Sequence, residues 1–314
     1  MPDEISYTTD EIAKLLKISK LTVYDLIKKG ELPAYRVGKQ MRVDASDLEA
    51  YKQRAKGLKI AERPAAADSA VRPNPAVAGV RPLVITGQDI SLDILAKHIE
   101  KNIPGVRPLR AYVGSLDSLI SMYRGESDIV STHLLDGDTG EYNLPYIRRL
   151  LVGSSYLVVN LLSRRAGFYV KKGNPHKLGG WSDLARPGLR LANREKGSGA
   201  RVLLDEQLRL HGIRPDRLIG YEAEENSHIA VAGKVASGEA DVGVGIEKAA
   251  SIVGNVDFIP LIQERYDLVL MKKPENRDWM DAILHILKSA AFQNELAAIP
   301  GYDLSLTGQI VHET

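Results

Sequence analysis

At 314 residues the chain exceeds what one hydrophobic core usually organises, so two or more folded units are expected; 44% hydrophobic and 26% charged residues are ordinary for a globular protein. The absence of cysteine excludes a disulfide framework, a thiolate metal site and a Cys nucleophile, and fits a reducing compartment. A net charge of +2 selects no polyanion by itself, 6% aromatics argue against a single-strand stacking platform, and neither an export signal nor an apolar run of ~18 residues is read, so a cytoplasmic location without membrane contact is expected.

Residues 1–63 carry 13 Lys/Arg against 10 Asp/Glu, so this segment holds +3 and the remainder −1. The text TTDEIAKLL opens with a capping candidate, places acids in its first turn and sets Ile12, Leu15 and Leu16 on one face, which predicts a short amphipathic helix over 8–16. A turn at 17–19 follows, and Ser19 caps a second predicted helix that stops at Gly30. Two short helices joined this tightly form a helix-turn-helix candidate. Residues 32–43 alternate around Gly38 and read as a β-hairpin with basic residues near its tip, and 44–51 as a third helix.

This order, carried by TDEIAKLL, SKLTVYDLIKKGELPAYRVG and RV at 42–43, resembles the excisionase-like branch of the MerR-type winged helices over about 50 residues. The resemblance implies that the second helix enters the major groove and the hairpin touches the backbone or minor groove. Lys20, Thr22, Tyr24 and Lys28 are then the candidates on the helix, and Arg36, Lys39 and Arg42 on the wing, with Val23, Leu26 and Ile27 assigned to the core. Phosphate contacts supply affinity and base edges supply specificity, so Arg36, Lys39 and Arg42 are expected to position and Lys20, Thr22 or Tyr24 to specify. One such unit covers little DNA, and a homodimer on repeated half-sites of double-stranded DNA is expected.

Pro64, Pro73, Pro75 and Pro82 punctuate an Ala-rich stretch with no apolar period, so the domain reading is 1–55, a linker at 56–80, and a second domain at 81–314. From Leu83 the text alternates strands and helices: LVIT, SLDILAKHIEKN, LRAYVG, SLDSLISMYRG, DIVS. A second series runs through GFYVKK, a helix near Trp181, LRLAN and a helix from Gly197 to Leu210, then a helix over 226–237 and a buried strand at 241–245. The repetition predicts an α/β fold with two lobes, with YLVVN from Tyr156 and YDLVL from Tyr266 as strands crossing between them. Where a strand feeds a helix, Thr86-Gly-Gln-Asp and Gly114-Ser-Leu-Asp-Ser offer hydroxyls and free N–H groups to an anion.

Several short stretches carry a second resemblance: Gly114-Ser115, the HLLD beginning at His133, Asn193-Arg194 with GSGAR at 197–201, His228, the ADVG ending at Gly243, and the ERYDL beginning at Glu264. Over nearly all of 81–314 these resemble the type II periplasmic-binding-protein-like domain of bacterial regulators, also found fused to molybdopterin-biosynthesis proteins. Two positions depart from that pattern: Thr86-Gly-Gln-Asp stands where Gly-Ser-His-Asp is usual, and Ala200 replaces Thr. The resemblance implies a small anion, molybdate or tungstate foremost, held in an interlobe cleft by uncharged donors. Thr86, Ser115, Ser198 and Arg201 are the leading contacts, with Arg194, His133, His228 and Tyr266 behind them. A helix cap is the plainer role for Gly197-Ser-Gly, structural hydrogen bonding for the two histidines, and pairing with a nearby Arg for Glu264.

A ligand-responsive, non-enzymatic transcription regulator is therefore expected, without cofactor or metal. Two alternatives stand beside it: an excisionase-like architectural factor with a vestigial sensor, and an enzyme using Ser115, His133 and Asp241 as nucleophile, base and orienter. G-x-S-x-G, Walker and H-E-x-x-H motifs are absent, which weighs against the enzyme.

Overall fold

The computed structural model describes residues 6–16, 18–28, 32–37, 40–55 and 81–314. The chain divides into two units, Met1–Pro73 and Asn74–Thr314, and the expected linker at 56–80 lies outside the described residues.

The N-terminal unit runs β1 (Ser6–Thr8), α1 (Thr9–Leu16), α2 (Lys20–Lys28), β2 (Tyr35–Val37), β3 (Gln40–Asp44) and α3 (Ala45–Ala55). Helix α1 begins at a capping box: the Thr8 N–H donates to Glu11 Oε2 at 2.8 Å, while the Glu11 N–H donates to Thr8 Oγ1 at 3.4 Å. The Ser19 hydroxyl accepts from the Thr22 N–H at 3.1 Å and so starts α2 as the sequence predicts. Strands β2 and β3 form the expected hairpin, Val37 opposite Gln40. The three-residue strand β1, which was not anticipated, pairs antiparallel with β3 and makes it the central strand. Ile12, Val23, Leu32, Val43 and Leu48 are fully buried between sheet and helices, while Leu26 and Ile27 are partly buried against them.

The C-terminal unit contains β4 (Arg81–Thr86), α4 (Ser91–Asn102), β5 (Val106–Ala111), α5 (Ser115–Tyr123), β6 (Ile129–Thr132), α6 (Leu144–Leu150), β7 (Tyr156–Lys171) and β8 (Leu191–Arg194). It continues through α7 (Gly199–Leu210), β9 (Glu224–Glu225), α8 (His228–Ser237), β10 (Val242–Ile246), α9 (Glu247–Val253) and β11 (Val256–Met271). Then come α10 (Arg277–Lys288), α11 (Ala290–Ala297), β12 (Tyr302–Asp303) and β13 (Ile310–Glu313). One sheet holds them in the order β5-β4-β6-β11-β7-β10-β8-β9, with β12 and β13 also paired to β7. Parallel pairs at either end, β4 with β5 and β6, and β8 with β10, are the βα repeats read from the sequence.

The two lobes share β7 and β11, each 16 residues long and antiparallel to one another. Tyr156 and Tyr266 do lie on crossing strands, but YLVVN and GFYVKK are the two ends of one strand. The first lobe packs Leu83, Leu92, Leu268, Ile283 and Phe292 around the Tyr156 end; the second packs Phe168, Leu191, Leu204 and Val244 around the Lys171 end. Register shifts between Pro260 and Ile262 and between Tyr266 and Asp267 bracket the passage from lobe to lobe. Such bulges bend and twist the ribbon where the two lobes diverge.

Candidate functional site

A cleft of about 670 Å³ opens between the lobes of the C-terminal unit. The first lobe contributes Gly87-Gln88-Asp89 after β4, Tyr112 to Ser115 after β5, and Ser131 and His133 from the end of β6. From the second lobe come Arg194 at the end of β8 with Glu195 next to it, Ser198 to Ala200 at the start of α7, and Asn226 to Ile229 at the start of α8. Ile246 ends β10, Lys248, Ala249 and Ile252 lie on α9, and the crossing strands add Arg164 and Tyr266. The lining thus gathers at the carboxyl ends of the parallel strands, where helix starts present unpaired N–H groups.

The lobes touch directly. Leu116 N–H donates to the Gly197 carbonyl at 2.9 Å, Gln88 Nε2 donates to Glu195 Oε1 at 3.0 Å, and Arg194 Nη2 donates to Gln88 Oε1 at 2.6 Å. Gly114 lies so close to Gly197 and Ser198 that an added Cβ would stand 2.6 Å from the Gly197 carbonyl oxygen. Gly199 is equally constrained, because a Cβ there would meet the His133 ring at 2.4 Å. Side chains at either position would prop the lobes apart.

The floor of the cleft is an ion cluster. Arg164 donates through Nε to Glu264 Oε1 at 2.5 Å and through Nη1 to Asp89 Oδ2, and its guanidinium lies over the Tyr266 ring at 4.5 Å. Glu264 also meets His133 Nδ1 at 3.2 Å, and the Tyr302 hydroxyl donates to Asp89 Oδ1 at 2.6 Å. Burial raises the Glu264 carboxyl pKa, but Arg164 and His133 outweigh it and hold the group at about 2. Asp89 is likewise pushed up by burial and brought below its usual range by Arg164 and by hydrogen bonds from Ser91 and Tyr302. His228 is held well below 6.5 by burial and then by Arg194, Arg164 and His133, so its ring is neutral near pH 7; its Nδ1 is covered without a hydrogen-bond partner.

Residues 96–288 match the PBP superfamily domain, and residues 6–56 match a helix-turn-helix domain. The chain belongs to the PBP superfamily domain family. It is 51% identical, over all of both chains, to "Uncharacterized protein YvgK" of Bacillus subtilis (strain 168). A shorter protein of Clostridium pasteurianum, "Uncharacterized protein in ferredoxin 2Fe-2S gene 5'region", matches at 48% over 36% of this chain and 99% of its own. Among solved structures, EhuB in complex with hydroxyectoine is similar at TM-score 0.52 and 16% identity, covering 70% of this chain and 88% of that one. A phosphate-bound substrate-binding protein from Clostridium perfringens is similar at 0.50 and 16%, covering 71% and 99%. PhnD1 from Prochlorococcus marinus with methylphosphonate is similar at 0.51 and 16%, covering 73% and 94%. The chain therefore joins a helix-turn-helix DNA-binding domain to a PBP-like domain.

Within the PBP-like domain, Ser115, His133, Arg194, Ser198, His228 and Tyr266 line the cleft as the sequence suggests. Thr86 does not: its side chain is buried in the sheet, with Oγ1 3.4 Å from the Ile129 carbonyl, and the next three residues line the cleft instead. Arg201 is also turned away, held by Asp205 at 3.1 Å, by the Arg194 carbonyl at 3.2 Å and over the Tyr221 ring at 4.1 Å. Ser198 caps α7 by accepting from the Arg201 N–H at 3.3 Å, which leaves the N–H groups of Gly199 and Ala200 beyond its reach. The proposed nucleophile, base and orienter are not assembled: Ser115 Oγ accepts from the His133 backbone, the His133 ring faces Glu264, and Asp241 pairs with Arg190 at 2.8 Å. Arg164, Asp89, Gln88, Glu195 and Lys248 are cleft residues that the sequence reading did not name as sites.

In the helix-turn-helix unit, Lys20, Thr22 and Tyr24 are exposed on α2, and Lys20 Nζ donates to Asp10 at 2.7 Å. Arg36 is exposed on β2, whereas Arg42 is half-buried and donates to Ser6 Oγ at 3.2 Å, tying the wing to β1. Lys28 closes α2, but its side chain lies outside the described residues, as does all of Lys39. Among the described residues no helix is long and apolar enough to cross a membrane.

Proposed function

We propose that the chain is a ligand-responsive transcription regulator whose PBP-like domain binds a small molecule bearing an anionic group. The observation that carries this reading is a large interlobe cleft, built from helix starts and guanidinium groups, in the same chain as a helix-turn-helix unit. Donors at helix starts favour an anion, and the similar structures with bound phosphate and methylphosphonate fit that preference. Arg194 and the starts of α7 and α8 are the recognition groups; Ser115, Ser198, His133, His228 and Tyr266 shape the wall. Closing or opening two lobes supplies the bistable element that a switch requires.

DNA is read by α2, with Lys20, Thr22 and Tyr24 at base edges and Lys28 beside them, while Arg36, Lys39 and Arg42 hold phosphates. Binding as a homodimer to repeated half-sites follows from the small footprint of one unit. Selection from a random duplex library with the full chain should enrich a repeated half-site. Lys20→Ala with Arg36→Ala should lower affinity for it about tenfold or more and flatten its salt dependence, by a slope of roughly one per lost phosphate contact. A ligand identified by thermal shift, molybdate and tungstate included in the panel, should change that affinity. Equal affinity with and without every bound ligand overturns the regulator and leaves an architectural DNA-binding factor.

A further inference from the structure

Resting on the sensor reading above, we infer that the ligand is an organic monoanion with an apolar body, rather than a bare oxyanion. Three observations converge on this class. The first is size. A tetrahedral oxyanion of four oxygens occupies on the order of 120 Å³ if each oxygen takes a water's share of ~30 Å³. The cleft offers about 670 Å³, within the range of sites that enclose organic molecules. A cleft of that size, as the lobes stand here, does not fit tightly around four oxygens.

The second observation is the rim. Ile90, Tyr112 and Val113 from the first lobe and Ile229 and Ile252 from the second all line this one opening, yet each is at least 36% exposed. Exposed apolar side chains scattered singly are unremarkable, but their convergence from two lobes onto a concave opening marks a surface that a ligand covers.

The third is charge. The lining holds three cations, Arg164, Arg194 and Lys248, against three carboxylates, Asp89, Asp117 and Glu195, and Glu264 stands behind Arg164. With every cation of the wall matched by a carboxylate, no net positive charge is left to compensate a dianion, while one negative group can sit beside a local donor. Arg164 and Arg194 are both almost fully buried and line the cleft. Arg164 commits Nε and Nη1 to Glu264 and Asp89; Arg194 commits Nε and Nη2 to Glu195, Gln88 and neighbouring carbonyls. Among the described residues, the hydrogen bonds of Arg164 leave out Nη2 and those of Arg194 leave out Nη1, and these are the donors left for the anionic group. The ligand therefore lies with its charged end on the floor and its apolar body along the rim.

Calorimetric titration of the full chain with acetate, butyrate and hexanoate, beside hexanol, inorganic phosphate and molybdate, tests this class. Affinity should rise about three- to fourfold per added methylene, and hexanol, phosphate and molybdate should all bind more weakly than hexanoate. Ile229→Ser with Ile252→Ser should weaken hexanoate about tenfold and leave acetate unchanged; these side chains are exposed, so the thermal midpoint without ligand should stay near wild type. Phosphate or molybdate binding more tightly than hexanoate, unmoved by the rim substitutions, overturns the ligand class and leaves the sensor standing. Absence of binding across the carboxylate series overturns the inference as well. Failure of the sensor reads differently, as ligand binding that leaves DNA affinity unchanged.

Discussion

Among its described residues the helix-turn-helix unit closes on five buried apolar side chains, and Thr9 is the one buried polar side chain. The PBP-like domain has larger apolar cores in each lobe, yet between them it buries Arg164, Asp89 and Glu264 together, with His133 and Arg194 close by. Burial of apolar surface suffices to explain the first unit. It does not explain the second, because taking ions out of water costs several kcal/mol each, and even close pairing often only offsets that cost. The cluster sits at the passage of β7 and β11 between lobes and forms the floor of the cleft. Position accounts for it where stability does not: it fixes a cationic donor at a defined place and ties Asp89 of the first lobe to the crossing strands.

The largest effect expected from breaking this contrast is at Arg164. Arg164→Met leaves two buried carboxylates without their partner, and should cost roughly 3–5 kcal/mol in the unfolding of the PBP-like domain. Adding Asp89→Leu and Glu264→Met to Arg164→Met should recover most of that loss in urea denaturation while abolishing ligand binding. If the triple variant stays as unstable as the single one, the cluster is a stabilising device after all. The matching experiment in the small unit is Ile12→Ala, expected to cost about 2–5 kcal/mol. It should be read as loss of DNA binding with the ligand affinity of the other domain intact.

The same contrast governs what the sequence discloses. Helices α1 and α2 and the hairpin are set by capping residues, apolar spacing and turn chemistry within a few positions, so they are readable locally. Strand β1 escapes, because three residues show no period and gain meaning only by pairing with β3. In the PBP-like domain the βα alternation is plain, but β7 hides behind Ser163-Arg164-Arg165-Ala166-Gly167, which reads as a break between two strands. A charged pair inside a strongly apolar run was the available sign that the strand continues through a polar passage. Thr86 and Arg201 show the other limit: junction residues are recognisable, yet strand alternation and helix phase decide which of them face the cleft.

A pH titration sharpens the comparison further. His228 has its pKa lowered well below 6.5 in the folded domain, so protons bind the unfolded chain more readily and stability is lost as pH falls below that unfolded value. Glu264, held at about 2 against an ordinary 4.5, contributes stability that is present above 4.5 and lost as pH falls toward 2. The PBP-like domain should therefore lose thermal stability in two stages on acidification, and His228→Gln should remove the upper stage alone. A His228→Gln profile superimposable on wild type between pH 7 and 5 would contradict the neutral buried ring.

The smallest effects come from removing one cap hydroxyl in each unit. Thr8→Ala and Ser198→Ala each delete the acceptor at a helix start, and each should cost about 1 kcal/mol in its own unit. The consequences beyond stability differ, because the Thr8 hydroxyl bonds to Glu11 at the start of α1, whereas Ser198 lines the cleft and sets the start of α7 against Gly114 of the opposite lobe. Ser198→Ala should therefore weaken the ligand that raises the thermal midpoint, and Thr8→Ala should leave its affinity unchanged. Equal ligand affinity in both variants would reduce Ser198 to the cap that its hydrogen bond from the Arg201 N–H already describes, and would leave recognition to the guanidinium groups and backbone N–H donors alone.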